Sequence, residues 1–210
     1  PKVHGISFTG SIAVGKSVYK NASEHFAHIT LELGGNDPFI LLDDADIDLA
    51  VEEVVWGRMY NAGQVCVASK RFIVDKKVVK EFEIKVVERL KKLVVGNPLD
   101  KKTDIGTLVT LQAAEKVEKQ VKNIVNQGGK ILYGAKREGA TYFPTVITNI
   151  PASADVAKDD EVFGPVVSII PVDNMEEAVK VANQSNHGLG SCVFTRDMKK
   201  AFKIANSMEA

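Results

Sequence analysis

The stretch Leu31-Glu32-Leu33-Gly34-Gly35-Asn36-Asp37-Pro38-Phe39-Ile40-Leu41-Leu42 decides how the chain divides. Residues 29–33 read as a strand, the glycine pair breaks it, and residues 38–42 begin again as a buried apolar run. Parallel neighbours in one sheet need a crossover of about a dozen residues or more, commonly a helix. Two strands that abut without one point to a seam between domains at Gly34-Gly35, with residues 1–34 on one side and 35–210 on the other.

Working outward, residues 6–9 read as a strand ending at Gly10, and residues 12–23 as a helix. Downstream, residues 43–48 offer several helix caps, and Leu49, Val54, Val55 and Met59 follow at helical spacing. Residues 61–69 form a loop of small and polar residues that holds Cys66, and residues 71–74 a short strand. Helices are predicted over 77–92, where Val79, Phe82, Val86 and Leu90 recur, and over 111–126, which Gly128-Gly129 ends. Residues 130–133, 143–148, 166–172 and 191–195 read as further strands. Asn174 with Glu177 forms a capping box opening a helix to 184, and a last helix follows residue 195. Helices alternating with short apolar strands predict an α/β fold with a parallel sheet.

Composition narrows the function classes. Twenty-seven basic residues balance 27 acidic ones, so the basic excess of a nucleic-acid binder is missing. No apolar run approaches the roughly twenty residues that cross a bilayer. Two distant cysteines, Cys66 and Cys192, do not make a disulfide framework and point to a reducing, cytoplasmic setting. The residue pattern at both ends reads as cut from a longer parent.

Four segments carry candidate chemistry. Residues 10–17, GSIAVGKS, match the phosphate-loop pattern between a strand and a helix, where backbone N–H groups and the helix dipole bind anions. The apolar run 39–43, ending in Asp43, would then supply a magnesium partner; the alternative is a tight strand–helix turn. Cys66, in Gly63-Gln64-Val65-Cys66-Val67-Ala68-Ser69, is either a small buried hydrophobe or a nucleophile whose small neighbours admit a substrate. Glu32 is either the solvent face of an alternating strand or a carboxylate in a partly apolar pocket, suited to general-base work. Glu161-Val162-Phe163-Gly164-Pro165 is either a turn before a strand or a carboxylate placed on ribose hydroxyls.

The order and spacing of FTGS at 8–11, LELGG at 31–35, GQVC at 63–66 and EVFGPV at 161–166 resemble the aldehyde dehydrogenase superfamily, as does the separation of 34 residues between Glu32 and Cys66. The resemblance runs over the whole chain and accounts for the phosphate-loop match as a coincidence. LELGGNDPFILLDDADIDLAV and GQVCVASKRFIV are most similar to the succinate-semialdehyde dehydrogenase group. Two positions depart from that group. Tyr60 stands six residues before Cys66, where better-known members have an arginine for the substrate carboxylate, with Arg58 two residues off. Ala68 stands where some members have a second cysteine, so no disulfide switch is expected.

The resemblance implies a parallel-sheet catalytic domain preceded by the tail of a Rossmann-like cofactor domain. It implies NAD- or NADP-dependent oxidation of an aldehyde such as succinate semialdehyde, without a metal. Cys66 would form a thiohemiacetal and then a thioester, and Glu32 would activate the hydrolytic water. The Cys66 backbone N–H would be one oxyanion donor, the other being an asparagine upstream of this segment. Gly10, Ser11, Leu33, Glu161 and Phe163 would contact the cofactor. The partner is a small-molecule aldehyde, not nucleic acid or membrane, and the parent enzyme would be a homodimer or homotetramer. The 210 residues alone are expected to be inactive.

Overall fold

The computed structural model describes residues 2–209. They form two compact units, Pro1–Gly35 and Asn36–Ala210. In the first, β1 (Gly5–Thr9) and β2 (His28–Glu32) pair in parallel, with α1 (Ile12–Ser23) between them. Ser11 caps α1 by accepting the Val14 N–H on its hydroxyl at 3.4 Å. The helix starts so early that Ala13, Val14 and Gly15 lie within its first turns, and the Gly15 N–H donates to the Ser11 carbonyl at 2.9 Å. Residues 10–17 therefore have no loop to wrap a phosphate, and Lys16 and Ser17 stand exposed on the helix. The phosphate-loop reading fails on this geometry. Gly15 serves packing instead: a Cβ there would lie 2.5 Å from a methyl of Leu33.

The main sheet of the second unit has six strands: β3 (Pro38–Leu41), β4 (Arg71–Asp75), β5 (Lys130–Tyr133), β8 (Thr145–Thr148), β9 (Val166–Val172) and β10 (Cys192–Phe194). They lie in the order β10-β3-β4-β9-β8-β5. Every neighbouring pair is parallel except β5 with β8. That edge departs from the expected all-parallel sheet because residues 134–144 contain a small hairpin, β6 (Arg137–Glu138) and β7 (Thr141–Tyr142), and no crossover helix. Strands β3, β4 and β8 are buried along their whole length, as befits parallel strands covered on both faces.

The covering helices are α2 (Ile47–Met59), α3 (Val79–Leu90), α4 (Leu111–Asn126), α5 (Met175–Ala182) and α6 (Met198–Ala205). α3 is shorter than its periodicity suggests, since the Asp75 carboxylate accepts the Lys77 N–H at 2.9 Å and makes a turn of residues 76–78. The capping box of α5 forms, with one difference. Asn174 accepts the Glu177 N–H at 2.9 Å, but Glu177 reaches back to the N–H of Asp173, one residue before the cap. Among the described residues no helix is long and apolar enough to cross a membrane.

The β5 edge depends on Gly134, whose φ is +78° and whose missing Cβ would lie 2.0 Å from the Pro144 carbonyl oxygen. Gly134→Ala should lose about 1–3 kcal/mol or more of stability, from positive φ and overlap together. Urea unfolding of the variant beside the parent chain checks this.

Candidate active site

The cysteine loop begins where α2 ends. Asn61, Ala62 and Gly63 have φ of 51°, 53° and 75°, so three successive residues are left-handed, two of them without glycine's freedom. Such a turn persists only when its surroundings hold it. Asn61 donates to the Gln64 carbonyl at 3.1 Å and Gln64 to the Asn61 carbonyl at 3.0 Å, while the Gln64 side chain accepts the Val109 N–H at 2.8 Å. At Gly63 a Cβ would lie 2.3 Å from the Gly164 carbonyl oxygen, so only glycine admits this approach. The loop then turns at Cys66-Val67, closed by the Ala68 N–H on the Val65 carbonyl at 3.3 Å, and Cys66 is half-buried. Two motifs far apart in sequence, GQVC and EVFGPV, thus pack backbone to backbone.

Buried cations hold these loops from beneath. The Lys70 ammonium donates to the carbonyls of Val65, Cys66 and Ala68 at 3.1, 2.7 and 2.9 Å. It also lies 3.4 Å from Glu161, with the lysine side chain 0% exposed and the glutamate 21%. The Arg58 guanidinium donates to the carbonyls of Val166 at 2.8 Å, Gly63 at 3.3 Å and Val162. Arg71 donates to Asn36, Ala157 and Val181, and Asn36 to the carbonyls of Val156 and Lys158. Burial holds Lys70 below the ordinary ammonium value and lowers Arg58 to about 9 and Arg71 to about 10. Beside them Asp37 is buried, with Oδ1 unpartnered, and its carboxyl is pushed up from 3.8 to about 6, chiefly by burial.

These loops all precede strands. The Cys66 turn leads into β4, the Glu161 segment into β9, Asn36-Asp37 into β3, and Gly190 into β10. They gather at the N-terminal edge of the parallel strands, whereas open α/β sheets usually place ligands at the C-terminal edge.

The aldehyde dehydrogenase family profile matches residues 1–210. The chain belongs to the aldehyde dehydrogenase family. It is 46% identical over 208 residues to lactaldehyde dehydrogenase of Methanococcus aeolicus, covering 99% of this chain and 44% of that protein. Among solved structures, it is similar to a glyceraldehyde-3-phosphate dehydrogenase from Methanocaldococcus jannaschii complexed with NADP, with 42% identity and a TM-score of 0.93, covering 99% of this chain and 44% of that one. It is also similar to betaine aldehyde dehydrogenase from Staphylococcus aureus in complex with NAD+, with 38% identity and a TM-score of 0.92, covering 99% and 42%. The chain therefore spans less than half the length of these aldehyde dehydrogenases.

Of the family-implied site residues, Cys66, Glu161 and Phe163 lie in the second unit, on loops that touch; Phe163 is 40% exposed. Gly10, Ser11, Glu32 and Leu33 lie in the first unit. There Glu32 ends β2 on its exposed face, and its carbonyl accepts the Gly10 N–H at 3.0 Å. A cavity of about 400 Å³ in the second unit is lined by Trp56, Tyr60, Val65, Val67 and Glu53, among others, so the two neighbours of Cys66 form part of its wall. Arg58 is 1% exposed and committed to backbone carbonyls, so it does not stand in for the arginine absent at position 60.

Sequence reasoning missed Lys70, Arg71, Asn36 and Asp37. The available signal was a pair of charges running straight into the apolar run FIV, as in KRFIVD; such charges are seldom buried unless they are paired or hydrogen-bonded.

Asp37 yields a test. Between pH 3.8 and about 6 the unfolded chain ionises this carboxyl while the folded chain keeps its proton. The folded state then binds more protons and loses stability as pH rises through that window. Asp37→Asn removes the contribution, so the variant's stability relative to the parent should rise across the window and level off above it. Urea unfolding at a series of pH values measures this.

Proposed function

We propose that the full protein oxidises an aldehyde to a carboxylic acid with NAD or NADP, and that Cys66 is the nucleophile. The observation that carries this reading is the contact of the Cys66 turn with the Glu161–Gly164 segment through Gly63. It brings the loop that carries the half-buried Cys66 against the loop that carries Glu161 and the exposed Phe163. The NADP and NAD+ complexes of the two similar structures support the cofactor.

The residues present fit such a dinucleotide. The first turn of α1 carries no acidic residue and ends on the exposed Ser11, which suits a pyrophosphate near Gly10, Ser11 and Leu33. Glu161 would hold the ribose hydroxyls and Phe163 would lie beside the nicotinamide ring. When bound, the dinucleotide supplies the hydride acceptor.

The chain's own residues do the rest. The Cys66 sulfur adds to the aldehyde carbon, and its backbone N–H helps hold the oxyanion of the thiohemiacetal. Oxidation of that adduct leaves a thioester on Cys66. Glu32 takes a proton from the water that attacks the thioester carbon, and the C–S bond breaks to release the acid and restore the thiolate.

For substrate, we infer a small uncharged aldehyde such as lactaldehyde rather than succinate semialdehyde. Tyr60 offers no cation to a carboxylate, the Arg58 guanidinium is taken up by backbone carbonyls, and Glu53 on the cavity wall repels one. The similarity to lactaldehyde dehydrogenase supports the same choice. Two free thiols support a reducing, cytoplasmic setting, and a homodimer or homotetramer remains part of the proposal.

The test is NADH or NADPH formation by the full chain with a panel of aldehydes. Cys66→Ala should lower kcat/KM by about ten-thousandfold, and steady activity equal to the parent's would exclude Cys66. Glu32→Gln should keep a single burst of reduced cofactor and lose steady turnover, because the thioester then accumulates. Lactaldehyde should exceed succinate semialdehyde in kcat/KM by about tenfold or more.

A further inference from the structure

We propose that Lys70 is a positioning residue that couples the Cys66 turn to Glu161, so that what binds Glu161 alters how firmly the thiol is held. This rests on reading Cys66 as the nucleophile and Glu161 as the acid facing the cofactor.

An ammonium has three N–H donors and accepts nothing. Around Lys70 stand four acceptors: the carbonyls of Val65, Cys66 and Ala68 at 2.7 to 3.1 Å, and the Glu161 carboxylate at 3.4 Å. Three protons cannot fully serve all four. The carboxylate competes with the carbonyls that fix the turn, one of which is that of Cys66 itself. Hydroxyls of a ligand hydrogen-bonding to Glu161 spread its charge onto themselves and weaken that competition. The ammonium then settles on the carbonyls and the turn tightens. Glu161 reaches solvent while Lys70 does not, so the pair links an accessible group to a buried one.

The test measures alkylation of each cysteine by iodoacetamide in the full chain, resolved by peptide mass spectrometry, at several pH values between about 6 and 9. Lys70→Met removes the three donors and the charge. It should lower the Cys66 rate by about threefold or more while leaving Cys192 unchanged. Cys192, whose thiol burial pushes up to about 11, reports general loosening. Glu161→Gln replaces the competing carboxylate by a neutral amide; it should raise the Cys66 rate, and should have no effect in the Lys70→Met background. NAD+ should raise the Cys66 rate in the parent chain and fail to do so in Lys70→Met.

A Cys66 rate unchanged by Lys70→Met, a parallel rise at both cysteines, or additive effects of the two substitutions would overturn the role of Lys70. If Lys70→Met does not fold, Glu161→Gln decides alone, and an unchanged or lowered Cys66 rate overturns the coupling. A parent chain in which Cys66 reacts no faster than Cys192 overturns the nucleophile reading itself, and with it the role given to Lys70.

Discussion

A turn that presents a thiol while packing its backbone against another loop leaves carbonyls facing inward, and each needs a donor. In this chain Lys70 and Arg58 supply them. Between them they serve the carbonyls of residues 63, 65, 66, 68, 162 and 166, which belong to both motif-bearing loops. Burying two cations is costly, and burial holds both below their ordinary pKa values. Charge-assisted hydrogen bonds, each worth about 1.5–3 kcal/mol, offset that cost. The left-handed residues 61–63 depend on the same support, because a strained turn relaxes unless its surroundings over-determine it.

The placement of the loops explains why cations were required. Helix N-termini and the C-terminal edge of parallel strands provide ready N–H groups to many α/β sites. At the opposite edge, the loops entering β4 and β10 follow the C-terminal ends of α2 and α5, which present carbonyls and no free N–H groups. Side-chain donors fill the need. Lys70 precedes and Arg71 starts β4, the strand in register with both β3 and β9, so one short segment reaches the loops before all three strands. Arg71 ties Asn36, ahead of β3, to Ala157, ahead of β9, while Lys70 ties the cysteine turn to Glu161.

The same network changes the meaning of Arg58. Two residues from Tyr60, it resembles a displaced substrate-binding arginine when read along the chain. In three dimensions Arg58 is buried beside the cavity that Trp56 and Tyr60 also line, and its donors are spent on backbone carbonyls. Helical spacing sets this: residues 56 and 60 share a face, and 58 lies on the opposite side.

Local signals were sufficient for most elements, since apolar periodicity, caps and glycine breaks act within a few residues. The helices over 12–23 and 111–126 and the strand over 166–172 were legible in full for that reason. The motifs named the family because their order and spacing survive in the linear text. Tertiary structure alone decided the antiparallel β5 edge, the failure of residues 10–17 to form a phosphate cradle, and the burial of Lys70, Arg71, Arg58 and Asp37. A charged side chain carries no local mark of the carbonyls it will meet. Those carbonyls come from residues up to 110 positions away, as with Arg71 and Val181, and only the folded backbone brings donor and acceptor together.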